Sequence, residues 1–205
     1  EIIMKILKTL TFVIAILCIN FASANSVSES YLRDFTSGAF RPQTMAALYS
    51  MNDGENYTML SEDGTKIIKY NYLSGKAIDT IFDVATAKNC TLKRISDYEF
   101  DSQEKRILIL TDKTPIYRHS FTTTYYVYNI TRNELEPLSE KPGLQNLAQF
   151  SPNGRMIVFA RENNLFIKKL DFNTEIQITK DGEFNKVING TADWVYEEEF
   201  GCTRY

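Results

Sequence analysis

The chain has 205 residues, of which 43% are hydrophobic and 13% aromatic, enough for one large or two small domains around a buried core and incompatible with a disordered chain. Its 23 basic and 26 acidic residues leave a net charge of −3. They are interspersed, with no lysine and arginine stripe of the kind a phosphate backbone attracts, which argues against nucleic acid as a partner.

The first element in the chain is a leader. Lys5 and Lys8 follow Met4, an apolar stretch runs from Leu10 to Ile19, and Ala22-Ser23-Ala24 supplies small residues at the spacing of a signal-peptidase site, so residues 1–24 are predicted to be a signal peptide cleaved after Ala24. The apolar stretch is too short for a bilayer core that needs roughly 20 residues, so no stable membrane anchor is expected. The predicted location is exported, periplasmic or secreted. Cys18 follows the bulky Leu17, which disfavours a lipoprotein site, and Glu1 to Ile3 precede the expected start methionine. Beyond the leader, Cys90 and Cys202 could pair in an oxidising compartment or remain free, partly buried thiols. No C-x-x-C or Cys/His cluster occurs and His119 is the only histidine, so no zinc site and no other cofactor is implied.

Residues 25–205 then read as strands punctuated by polar turns, with almost no helical periodicity. The turn "SEDG" precedes the run Lys66 to Tyr72, "FDSQEK" precedes "RILIL" at 106–110, and "FSPNG" precedes "RMIVFA" at 155–160. Second runs follow, among them "TTTYYVYNI" at 122–130 and "NLFIKKL" at 164–170. The turns begin near residues 61, 101 and 151, a period of about 40 to 50 residues that suits a four-stranded propeller blade. The predicted fold is therefore all-β, a partial β-propeller of about three to four blades; a β-sandwich has similar strand spacing. A blade cannot bury both faces alone and packs on its neighbours, so a chain of this length reads as the N-terminal piece of a longer propeller.

Near the end, "DWVYEEEF" at 193–200 crowds Glu197, Glu198 and Glu199 together. Glutamate runs are ordinarily solvated surface. Three stretches change that reading: "YRHSFTTTYYVYNI" from 117, "LAQFSPNGRMIVFARENNLFIKKL" from 147 and "NGTADWVYEEEF" from 189. In order, they resemble the dipeptidyl peptidase IV family of prolyl-oligopeptidase-like serine peptidases, with weaker similarity back to about residue 30. The D-W-V-Y-E-E-E string is the specific part; "SPNG" turns occur in many propellers. The resemblance implies an eight-bladed N-terminal propeller followed by a C-terminal α/β-hydrolase domain. It also implies release of dipeptides from free peptide N-termini, with proline or alanine second. The family's glutamate pair carries over to Glu198 and Glu199, and its substrate-orienting arginine to Arg118 in "YRHS", where Tyr117 stands in the place some members give to tryptophan.

The chemistry is sensible independently. A peptide α-amine, with a reference pKa of about 8, is largely protonated at neutral pH and offers donors that two carboxylates accept as charge-assisted hydrogen bonds. In a strand Glu198 and Glu199 would point to opposite faces, so a helical turn or irregular segment is expected there, with Asp193 capping it and Trp194 and Tyr196 packed as core or pocket wall. An ammonium held at a fixed distance from a nucleophile selects the peptide bond presented, and a ruler two residues long yields dipeptides. His119 has no triad-like context and is expected to be structural.

No G-x-S-x-G pentapeptide occurs in the sequence, and a hydrolase of this kind needs one; no catalytic residue is therefore assigned, and this stretch alone should not cleave peptides. A tripeptide-releasing exopeptidase and a non-catalytic secreted propeller that binds partners through its blades remain alternatives. The expected partners are peptides with a free N-terminus; oligomeric state is left open, a homodimer of the full-length protein included. Sequons at Asn56, Asn89, Asn129 and Asn189 matter only in a host that glycosylates exported proteins.

Overall fold

The computed structural model describes residues 29–42 and 46–203. The predicted leader, 1–24, and its cleavage point lie outside them. The chain divides into two compact units, Glu1–Met45 and Ala46–Tyr205. In the first, residues 29–37 are helical, an element the strand-rich pattern did not announce; the Thr36 hydroxyl donates to Leu32 O at 2.9 Å and Gly38 at φ 80° follows the helix.

The second unit is three consecutive four-stranded antiparallel sheets, a partial β-propeller. The first blade holds β1 (Leu48–Ser50), β2 (Asn56–Leu60), β3 (Lys66–Asn71) and β4 (Ala77–Asp83). In the second, β5 (Asp97–Phe100) and β6 (Arg106–Leu110) are followed by a two-stranded arm, β7 (Thr114–Pro115) and β8 (Phe121–Thr122), before β9 (Tyr125–Asn129) and β10 (Glu134–Pro137) complete the sheet in the order β10-β9-β6-β5. The third is the meander β11 (Asn146–Phe150), β12 (Met156–Arg161), β13 (Asn164–Lys169) and β14 (Thr174–Gln177).

Strand β6 shows why its run is apolar without interruption. Side chains alternate across a strand, and Ile107 and Ile109 enter the core shared with the first blade while Leu108 and Leu110 enter the core shared with the third. The first core gathers Ile67, Phe82, Tyr98 and Tyr128; the second gathers Tyr125, Leu138, Ile157, Phe159 and Phe166. Between the first two blades, Tyr98 donates its buried hydroxyl to Thr58 Oγ1 at 2.8 Å. On the other face of the third blade, Val158, Ile167 and Ile176 lie in one cross-strand row, with Val158 and Ile176 exposed, an apolar face of the kind one blade offers the next.

The predicted turns also join blades. Asp101 is buried, and its Oδ1 accepts from the Lys105 and Arg106 N–H groups at 2.7 and 3.1 Å. Gly154, at φ 67°, lies against it: a Cβ there would stand 2.7 Å from Asp101 Oδ2. Gly75, at φ 65°, has open space around it. Gly154→Ala is therefore expected to cost on the order of 3 kcal/mol, strain plus clash, against about 1 kcal/mol for Gly75→Ala. Thermal midpoints of the two variants check this, and equal midpoints would show that the blade contact adds nothing.

Cys90 and Cys202 are both free thiols, so the unpaired alternative holds; Cys90 packs against the first core.

Candidate functional site

The glutamate run lies on a short helix, Trp194–Glu198, as the face argument required. Asp193 is its N-cap, with extended backbone and a carboxylate that accepts from the Tyr196 N–H at 2.9 Å. Glu199 is the C-cap. In a helical turn successive side chains are about 100° apart, so the three acids meet three environments: Glu197 is buried at 2% exposure, Glu198 is half-buried and Glu199 is exposed.

The β7–β8 arm meets this helix. Its tip carries Arg118, His119 and Ser120, and three consecutive N–H groups point at two carboxylates. Glu198 Oε1 accepts from the Arg118 N–H at 3.1 Å, and Glu198 Oε2 pairs with Arg118 Nη2 at 2.9 Å. Glu197 Oε1 accepts from the N–H groups of His119 at 2.6 Å and Ser120 at 3.0 Å. Burial pushes the Glu197 carboxyl up, but the Ser120 hydroxyl, these two N–H groups and the neighbouring His119 outweigh it and hold the carboxyl below its usual value. Glu197 Oε2 and Ser120 Oγ are buried and neither reaches a partner at regular hydrogen-bond geometry.

The base of the arm is fixed separately. Lys113 reaches Asp97 Oδ2 at 2.8 Å and sits 4.6 Å over the Phe121 ring, while Tyr49 donates to Asp97 Oδ1 at 2.8 Å. Burial pushes Asp97 up, yet the Lys113 and Tyr49 bonds leave it below the usual carboxylate range. Burial and then the Asp97 bond push the Tyr49 phenol well above its ordinary value. A cavity of about 530 Å³ lies against the arm, lined by Asp97, Lys113, His119, Ser120 and Phe121 among others; none of the three glutamates lines it.

Of the predicted site residues, the fold brings Arg118 and Glu198 together. Glu199 is next to Glu198 and forms no ion pair among the described residues. His119 is exposed and serves through its backbone. The expectation for the aromatics needs correction: Trp194 is 52% and Tyr196 47% exposed, because the inward position of so short a helix belongs to Glu197. Tyr196 does wall a shallow cleft with Asp193 and Asn189 and packs on Phe200 at 5.9 Å. Sequence reasoning missed Glu197, Ser120 and the arm itself. A signal existed: residues 111–124 connect β6 to its neighbour β9, far longer than the roughly two to five residues of an ordinary hairpin connection.

Comparison with known proteins finds relatives across most of the chain. The family described as the dipeptidyl peptidase IV (DPP IV) N-terminal region matches residues 101–204. Human prolyl endopeptidase FAP is 30% identical over 181 residues, 88% of this chain and 23% of that protein. A probable dipeptidyl-aminopeptidase B of Talaromyces stipitatus is 45% identical over 98 residues, 46% of this chain and 11% of that protein. The crystal structure of Porphyromonas gingivalis dipeptidyl peptidase 4 superposes with a TM-score of 0.79 at 48% identity, covering 84% of this chain and 25% of that one. The chain thus spans about a quarter or less of the length of these relatives. With the family's match covering the acid helix, the arm, the third blade and three of the four strands of the second, this chain belongs to the dipeptidyl peptidase IV family, in its N-terminal region.

Proposed function

We propose that this chain is the N-terminal propeller portion of an exported serine exopeptidase that releases Xaa-Pro and Xaa-Ala dipeptides, and that its acid helix and arm anchor the substrate. In this reading Glu198 and Glu199 accept the protonated α-amine of the peptide, and Arg118 grips a substrate backbone carbonyl while holding Glu198 in place. In this reading the nucleophile is supplied from outside these 205 residues, in which no nucleophile-elbow pentapeptide occurs. The observation that carries the reading is the Arg118–Glu198 contact at 2.9 Å between residues on two separate elements, the arm of the second blade and the helix after the third.

The charge arrangement suits a cation. Arg118 neutralises one of two adjacent carboxylates, so the pair keeps about one negative charge for an arriving ammonium. At about 4 Å and an effective dielectric of 20 such a pair attracts by about 4 kcal/mol before desolvation. That is enough to make the ammonium the register point of the substrate. The peptide bond cleaved then follows from the distance to the nucleophile.

Full-length protein assayed with Gly-Pro and Ala-Ala-Pro chromogenic substrates tests the proposal. Release from Gly-Pro, and its loss when the same substrate is N-acetylated, is the expected result. Cleavage of Ala-Ala-Pro alone would indicate a tripeptide ruler, and cleavage of neither a binding propeller.

A further inference from the structure

Glu197 stands outside the pair to which the ammonium is assigned, yet it is the most deeply buried of the three acids. A buried carboxylate is costly unless charge-assisted hydrogen bonds compensate. Glu197 obtains them from the arm's backbone: one oxygen takes the N–H groups of both His119 and Ser120. Peptide groups are planar, so holding these two successive N–H groups fixes the peptide planes that flank His119, and with them the direction in which Arg118 leaves the arm.

Glu198 Oε1 also takes the Arg118 N–H, but that bond orients the peptide before Arg118 and not the two that flank His119. The Arg118 side chain is 70% exposed and that of Glu198 13%; solvent on the arginine screens the pair toward the roughly 0–1 kcal/mol of exposed ones, and an arginine gives up about 2 kcal/mol of rotamer entropy when ordered. The Arg118–Glu198 contact therefore needs an arm already in place. Lys113 secures the base of the hairpin, through Asp97 and Phe121.

We propose that Glu197 is a positioning residue: its buried carboxylate seats the arm tip on the acid helix, so that Arg118 meets Glu198 and the anchor has one geometry before substrate arrives. It touches no substrate atom. Its kinetic consequence rests on the exopeptidase reading above; the seating itself rests on the hydrogen bonds alone.

The test compares Glu197→Ala and Glu197→Gln with wild type in the full-length protein, by three measurements. These are amide hydrogen exchange of the 114–122 peptide against that of β6 and β12, kcat and KM on a Gly-Pro chromogenic substrate, and labelling of the nucleophile by a small fluorophosphonate that carries no ammonium. Glu197→Ala is expected to raise arm exchange and KM by about tenfold each, the loss of roughly one charge-assisted hydrogen bond, with blade exchange and labelling unchanged. Glu197→Gln keeps an acceptor oxygen but not its charge and should fall between. Wild-type arm exchange in Glu197→Ala, or blade exchange rising together with the arm's, overturns the proposal. If Glu197→Ala does not fold, Glu197→Gln decides: exchange raised in the arm alone supports the seating and wild-type exchange overturns it. Should wild type release no dipeptide, the exopeptidase reading fails while the exchange measurement still decides the seating.

Discussion

Replacing Glu199 by glutamine in the full-length protein is expected to lower kcat/KM on free-amine dipeptide substrates by about 10²- to 10³-fold, the range that a charge contact of a few kcal/mol commands. Glutamine keeps the shape and one acceptor oxygen, so the loss reports charge. Glu198→Gln should fall at least as far, for a reason visible in the geometry. Glu198 also takes the Arg118 N–H and guanidinium, and its neutral replacement would release Arg118 as well as the ammonium. Two controls separate the roles. An N-acetylated substrate, already slow on wild type, should lose no more on either variant, because it has no ammonium to place. Arg118→Met combined with Glu198→Gln should cost less than the sum of the two single changes, since both remove one shared contact, whereas Arg118→Met and Glu199→Gln should come closer to additivity. Unchanged kcat/KM in both glutamine variants would remove the anchor role.

These expectations depend on features that were unequally legible in the sequence. The blades were legible because their cause is local: "RILIL" is apolar on both faces since β6 is buried on both, and turns such as "SPNG" combine an asparagine side chain that caps the turn with a glycine at positive φ. Arg118, Glu198 and Glu199 were legible through the family's motifs, and the change from strand to helix through the need to bring neighbouring acids to one side. The division of labour within the run was not. Glu197, Glu198 and Glu199 are chemically identical, and what distinguishes them is an arm that folds back from residues 118–120. Trp194, expected as core or pocket wall, is exposed for the same reason. Apolar size suggested that it faces inward, but the inward position is set by the N–H groups the arm offers, which an apolar side chain cannot accept and the Glu197 carboxylate does. The helix at 29–37 does carry a narrow apolar stripe, Tyr31, Leu32 and Phe35 falling within about 100° of arc, but at about two turns it is too short to stand out in a strand-rich chain, and all three side chains are exposed.

A second large effect is expected at Arg161, where the second and third blades are tied by charge. Arg161 is almost fully buried; its Nη1 donates to Ser139 Oγ at 2.6 Å, its Nη2 to Glu175 Oε1 at 2.9 Å, and its guanidinium lies 4.3 Å from the centre of the Phe166 ring. Ser139 also donates to Glu175 Oε2. Arg161→Met fills the volume but strands the Glu175 carboxylate, a loss of about 3–5 kcal/mol for breaking a buried pair. Lys141, 3.3 Å from Glu175 but mostly exposed itself, should cushion it toward the lower end. Even so, about 3 kcal/mol is a large share of the 5–15 kcal/mol that holds a typical domain. The effect should depend on pH in a definite direction. Burial pushes the Glu175 carboxyl up, but the Ser139 hydroxyl, Arg161 and Lys141 outweigh it and leave the carboxyl below its ordinary value. Its stabilising contribution is therefore complete above the unfolded value of about 4.3 and fades as pH falls through the lower folded one. Urea midpoints of wild type and Arg161→Met should differ most at neutral pH and converge in acid, and Arg161→Met/Glu175→Leu should recover most of the loss by removing the stranded charge. A neutral-pH difference below about 1 kcal/mol, the size of an exposed pair, would mean that solvent reaches this junction and that apolar packing of Phe159, Phe166 and Leu138 alone holds the two blades together.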